Sequence, residues 1–285
     1  MPHSDDSFTH LPASGRIGLL ELVHAKSPEA ALAAAGITER AASEHGGRLE
    51  WAGHVDQLLF GDIDSGSAAS EPNEILVSTY PSKKQALDVL SARREWGLDA
   101  LVDAVRTFAY RAPGAIERGA LRVATTALRL AGRKTPTADL SDPASIDFEP
   151  TLHGDPSLRP TEAALREYAT CGIHGKVVML NLLRYRRDAH GDETAGRAAY
   201  GRYGRVAGRL IVGLGGRIRV RGHGARMDGA GPATGWDELV CVEYPSRADF
   251  VGMITAPRYA PTTADRDEGL ERSALLVCTS HAKYF

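Results

Sequence analysis

Hydrophobic and polar positions follow one pattern twice along the chain. Arg16 to Val23 (RIGLLELV) is apolar nearly throughout, which predicts a buried strand. Ser27-Pro28-Glu29 then supplies a helix start, with Ser as N-cap and Pro in the first turn. An Ala-rich helix runs from there to about Glu44 and stops at Gly46-Gly47. Arg48 to His54 alternates, with Leu49 and Trp51 on one face and Arg48, Glu50, Ala52 and His54 on the other, as in a strand between two environments. Gly61 to Asn73 is a loop by composition, and Glu74 to Tyr80 is a third strand. Ser82 caps a helix from Lys83 to about Arg93. More helix is expected over 98–105, and a short strand over Thr107–Tyr110. The order β-α-β-β-α-β is that of a ferredoxin-like unit.

The same order returns in the second half. Val177–Arg186 aligns with Ile17–Lys26 at an offset of 160, placing Asn181 on Glu21 and Arg184 on His24. Gly215-Gly216-Arg217 with His223 repeats Gly46-Gly47-Arg48 with His54 at an offset of 169. Tyr244-Pro245-Ser246 repeats Tyr80-Pro81-Ser82 at an offset of 164. Helices are expected over 195–212 and 247–254, and strands over 238–244 and 275–279. The expected domains are a disordered tail (1–14), a first repeat (15–114), a helix and Pro-rich linker (115–160) and a second repeat (161–285). A ferredoxin-like sheet covers one face with helices and leaves the other open. Two such sheets in one chain can close on each other as an intrachain α+β barrel. A monomer with an internal pseudo-dimer, or a homodimer of such chains, satisfies that geometry.

The second half, with Val178 to Tyr185, Tyr200, Tyr203, Gly215-Gly216-Arg217, Trp236-Asp237, Tyr244-Pro245-Ser246, Pro257-Arg258-Tyr259, Arg266 and Gly269-Leu270, resembles the DUF1330 family of the dimeric α+β barrel superfamily. The first half shares only Gly-Gly-Arg and Tyr-Pro-Ser and lacks the Asn and Arg of the first strand. The resemblance implies the barrel fold and an asymmetric site weighted toward the second half. It implies no single reaction, because the superfamily includes cofactor-free monooxygenases, isomerases, haem enzymes and binding modules.

Composition narrows the function classes. A net charge of −2 gives no general attraction to nucleic acid or to a membrane surface. Three cysteines with no Cys-x-x-Cys pair argue against a disulfide framework and fit a reducing, cytoplasmic setting. The charge is unevenly placed, however: Thr194 to Met227 holds eight arginines and no Asp or Glu. Strict alternation would put Arg217, Arg219, Arg221 and His223 on one strand face, looking into the barrel, with Ile218 and Val220 under the helices. Buried guanidiniums need carboxylate partners or an anionic ligand. Glu21, Glu50 and Glu243 are candidate partners.

The candidate catalytic set is therefore His223 as acid or base, with Arg184 and Arg221 stabilising negative charge. Asn181, Arg219, Tyr244, Trp236, His54 and Glu21 are candidate substrate contacts. The histidines lack metal-ligand spacing, so no metal and no organic cofactor is expected. The favoured function is proton-transfer chemistry (isomerase, cyclase or lyase) on an anionic or carbonyl small molecule. A non-catalytic ligand-binding or assembly protein and a cofactor-independent monooxygenase are the alternatives.

Overall fold

The structure is a computed structural model describing residues 8–12, 14–63, 71–131, 134–227 and 235–284. Among the described residues, eight strands close into one antiparallel barrel. The first half contributes β1 (Ile17–Ala25), β2 (Arg48–Phe60), β3 (Glu74–Tyr80) and β4 (Val102–Arg111). The second contributes β5 (Val177–Tyr185), β6 (Arg217–Met227), β7 (Trp236–Tyr244) and β8 (Leu270–Ser280). Their order around the barrel is β1-β3-β2-β8-β5-β7-β6-β4. Each half is thus a four-stranded ferredoxin-like sheet, and the seams β2–β8 and β4–β6 join them.

Helices cover the outside. In the first half these are α1 (Pro28–Glu44), α2 (Lys83–Glu95) and the single turn α3 (Leu98–Leu101). Next come α4 (Ala115–Ala131) and α5 (Glu162–Thr170). The second half carries α6 (Thr194–Gly213), α7 (Arg247–Ile254) and α8 (Thr263–Gly269). Ser27, Ser82, Thr161 and Ser246 cap α1, α2, α5 and α7, each accepting a backbone N–H of the first turn. The repeated Gly-Gly has a geometric cause. Gly46 and Gly215 follow α1 and α6 at φ +72° and +82°, a left-handed conformation that glycine adopts without a Cβ clash.

The interior is packed, not hollow. Leu20, Leu22, Trp51, Val77, Phe108 and Tyr110 of the first half meet Leu180, Leu182, Leu239, Cys241, Leu276 and Cys278 of the second. Fully burying each Leu or Val side chain contributes about 1.5–3 kcal/mol. Burial pushes the Cys241 thiol up to about 12, so it behaves as a small apolar side chain.

Several elements differ from expectation. Residues 98–105 split into the α3 turn and the start of β4, because Val102 and Val105 pair with Ala25 and Val23 of β1. Within the expected tail, Phe8 and Leu11 are buried against α1 and α2. Residues 1–7 and 13 lie outside the described residues, as do 64–70 and 228–234 of the expected loops. The Pro-rich stretch 134–160 is strapped to the second half. Thr137 Oγ1 donates to Asp249 (2.7 Å), Thr151 Oγ1 donates to the Ile254 carbonyl (2.6 Å), and Phe148 is buried.

Candidate functional site

A one-residue irregularity decides which side chains face inward. In β6 the pairing shifts between Ile218 and Val220, so Arg219 is the extra residue. In β2 it shifts between Leu49 and Trp51, so Glu50 is the extra residue. Beyond the bulge the alternation inverts. Val220 turns into the interior core, and Arg221 and His223 turn to the outer face. The expectation that three arginines and His223 share one inward face is thereby corrected.

His54 and His223 occupy equivalent places in the two halves of the barrel. His54 pairs with Glu74 across β2–β3, and His223 pairs with Glu238 across β6–β7. Glu74 and Glu238 are both buried and lie 164 residues apart, the offset of the Tyr-Pro-Ser repeat. The recurrence of that Glu was legible in the sequence and was missed. His54 Nδ1 lies 3.1 Å from Glu74 Oε1, while His281 Nε2 lies 2.8 Å from Glu74 Oε2. In the second half Tyr185 donates to Glu238 (2.5 Å) and Arg221 donates to it (2.6 Å), with His223 Nδ1 at 3.8 Å.

The electrostatics of the two histidines differ in sign. Hydrogen bonding to Glu74 raises the His54 pKa above its ordinary value. Burial works to raise Glu74, but the hydrogen bonds from His281 and His54 outweigh it and hold that carboxyl below the usual range. His223 is lowered, chiefly by burial and secondarily by Arg221, Arg111 and Arg197 against the pull of Glu238. It is therefore neutral at pH 7.

The Glu74 pair makes stability depend on pH. The His54 contribution is complete below its unfolded pKa of about 6.5 and is lost as pH rises through its higher folded pKa. The Glu74 contribution is complete above about 4.5 and is lost as pH falls through its lower folded pKa. His54→Gln should therefore cost stability at pH 5.5–6 and little above pH 8. His54 is half exposed, so the difference should be about 1 kcal/mol or less. Urea melts of both proteins across that range measure it, and a pH-independent difference would contradict the assignment.

The charged cavity sits at one mouth of the barrel. Its volume is about 600 Å³, and α4 roofs it. The first half supplies Arg16 and Arg48 from the starts of β1 and β2. The start of β6 supplies Arg217, Arg219 and Arg221, and α4 supplies Arg118, Arg122 and Arg129. A second cavity of about 360 Å³ adjoins it, sharing Arg16, Arg48, Arg118 and Arg122. In α4 Arg118 is half-buried against the cavity, Arg122 and Arg129 line its rim while staying exposed, and Ile116 and Val123 point to solvent.

Carboxylates cover only part of this charge. Glu50 pairs with Arg48 (2.6 Å) and Arg16 (3.5 Å). Glu243 pairs with Arg217 (3.0 Å) and Arg219 (2.9 Å), and Glu238 takes Arg221. Among the described residues, the three α4 arginines pair with no carboxylate; Arg118 and Arg129 donate to the carbonyls of Pro113 and Gly216. Among the described residues, eight guanidiniums line the cavity and three carboxylates, Glu50, Glu238 and Glu243, pair with some of them, so positive charge predominates there. Desolvation by burial lowers the Arg16 and Arg219 pKa values, a sign of charge held away from water.

The structure brings only some of the expected site residues to this cleft. Arg219 and Arg221 line it. Arg184 lies six residues along β5 from Val178, the residue facing Glu243, so it is about 20 Å away at the opposite mouth. There Arg184 Nε is 3.2 Å from Glu271. Trp236 stacks under Arg272 near that same end. Asn181 donates to the carbonyls of Met179 and Val240 on the outer face. Glu21 is buried on the helix side with Arg93 and Thr107, not among the barrel arginines. Tyr244 packs on Phe250 beneath α7 and donates to Met253 Sδ. His54 and His223 lie at the two seams. The arginines of α4, Arg16 and Tyr110 were missed, since only tertiary packing brings them together. Among the described residues no group of three or more His, Cys, Asp or Glu is placed to hold a metal ion. No helix there is long and apolar enough to cross a membrane.

Fold and site together define a single-chain α+β barrel with an arginine-lined mouth. Residues 192–279 match the family model described as "Domain of unknown function (DUF1330)". Through that segment the chain belongs to the DUF1330 family. It is 37% identical to the RPA0582 protein of Rhodopseudomonas palustris, a protein of unknown function, over 42% of this chain and 93% of that one, with a TM-score of 0.37. A mutant chlorite dismutase from Candidatus Nitrospira defluvii is 8% identical over 98% of this chain and 95% of that one, with a TM-score of 0.47. No curated protein matches the chain.

Proposed function

We propose that this protein binds a compact polyanion, a di- or tricarboxylate or a phosphorylated metabolite, at the arginine-lined mouth of its barrel. The observation that carries this reading is the predominance of arginine over carboxylate around one cavity among the described residues, with Arg118, Arg122 and Arg129 of α4 pairing with no carboxylate there. A volume of about 600 Å³ falls within the usual range for small-molecule sites, ~300–1,000 Å³. Like charges gathered there repel one another, so a ligand that neutralises them also stabilises the fold. The first half is, in this reading, a divergent copy of the second, as the shared strand order, bulge position and His–Glu pairs support.

Catalysis by proton transfer is a second reading. Arg221 favours it, lining the cleft while its guanidinium meets Glu238, which also accepts from Tyr185 and lies 3.8 Å from His223 Nδ1. In that case His223→Ala abolishes turnover of an anionic carbonyl compound and leaves anion binding intact.

Binding is tested by thermal unfolding with citrate and with pyrophosphate at low ionic strength, against a neutral sugar. At a hundredfold excess over Kd the gain should be about 2.7 kcal/mol, or roughly 5–10 °C in Tm. The gain should shrink as salt is added. Identical melting curves with and without millimolar polyanion would overturn the reading.

A further inference from the structure

Tyr110, next to the last residue of β4, lines the cleft. Its ring lies between two glycines of different halves, Gly18 on β1 and Gly222 on β6. A Cβ at Gly18 would fall 2.0 Å from the ring, and one at Gly222 would fall 2.1 Å from it. Both positions are therefore held open for this ring. The side chain is fully buried, yet its hydroxyl has no hydrogen-bond partner among the described residues.

Leaving a buried hydroxyl unpaired costs about 1–3 kcal/mol. Phenylalanine fills the same space without that cost, so the apolar core alone does not account for a tyrosine here. Tyr110 lines the cavity, where the buried core ends, and Cys241, Glu50 and Arg16 lie within electrostatic reach of its hydroxyl. Burial pushes the phenol well above its ordinary pKa, so it stays protonated and acts as a donor, not as a base.

We propose that the Tyr110 hydroxyl donates a hydrogen bond to the innermost oxygen of the bound polyanion, and so selects ligands whose inner end is a carboxylate or phosphoryl group. This deepens the polyanion reading and rests on it. The arginines meet the outer charges, and the tyrosine checks the inner end. A ligand ending in a methyl group leaves the hydroxyl unpaired, and one ending in an ammonium presents donors to a donor.

The test compares wild type with Tyr110→Phe by calorimetric titration with citrate and, separately, pyrophosphate. Citrate and pyrophosphate distinguish a carboxylate from a phosphoryl inner end. The variant should bind the preferred anion about tenfold to a hundredfold more weakly, the loss expected for one hydrogen bond to a charged group. Without ligand its Tm should equal or exceed that of wild type, because an unpaired donor has been removed. Anion binding should also perturb the near-ultraviolet tyrosine absorbance of wild type, and the variant should lose that signal. Equal affinities in the two proteins, or a lower ligand-free Tm in the variant, would overturn the role of Tyr110 while leaving the cleft as a polyanion site. Failure of wild type to bind either anion removes the cleft reading itself, and this proposal with it.

Discussion

Arg93→Met should destabilise the protein by about 3–5 kcal/mol, the usual cost of leaving one partner of a buried ion pair alone. Glu21 projects from β1 beneath α2, where it is fully buried, and the Arg93 side chain is only 5% exposed. Thr107 on β4 donates to the second carboxylate oxygen at 2.9 Å. With Arg93 gone the carboxylate has neither water nor a counter-ion. A domain of this size has a total stability of about 5–15 kcal/mol, so the variant should melt about 10 °C or more below wild type. The double variant Glu21→Leu with Arg93→Met should recover most of the loss, because an apolar pair of similar volume carries no desolvation penalty. Denaturant unfolding of the two variants decides the matter. A single variant within 1 kcal/mol of wild type would show the pair to be solvated.

The largest effect on ligand binding is expected from α4. Arg118→Gln, Arg122→Gln and Arg129→Gln combined should weaken citrate binding about a hundredfold, taking about 1 kcal/mol for each partly exposed charge contact. The same variant should lose at most about 1 kcal/mol of stability without ligand, since it removes only the hydrogen bonds to the Pro113 and Gly216 carbonyls while relieving repulsion among arginines that pair with no carboxylate among the described residues. That combination of weaker binding with a nearly undiminished fold separates a ligand site from a structural cluster. Unchanged citrate affinity would place the anion elsewhere.

Much of the secondary structure was legible from the chain. The strand starting at Ile17, the caps at Ser27, Ser82 and Ser246, and the Gly-Gly stops all depend on neighbours within a few residues. The twofold pattern of Gly-Gly-Arg with a distant His and Tyr-Pro-Ser led directly to two βαββαβ units and a closed barrel. The site was less legible. Alternation along β6 pointed all three arginines inward, but a single extra residue at Arg219 reverses the faces beyond it. Arg184 and Asn181 share a strand with residues near the cleft, yet strand length carries Arg184 to the other mouth and side-chain parity carries Asn181 outside.

What the sequence determined by itself is the local and repetitive part: element types, caps, the order of two similar halves and the uneven placement of arginine. These follow from periodicity and short-range hydrogen bonding, which act on adjacent residues. Tertiary structure alone decided that the barrel is filled, that α4 lays its basic face over one mouth, and that Tyr110 sits between glycines of opposite halves. Those depend on strand register and on helix docking between segments far apart in the chain, where one inserted residue exchanges inside for outside.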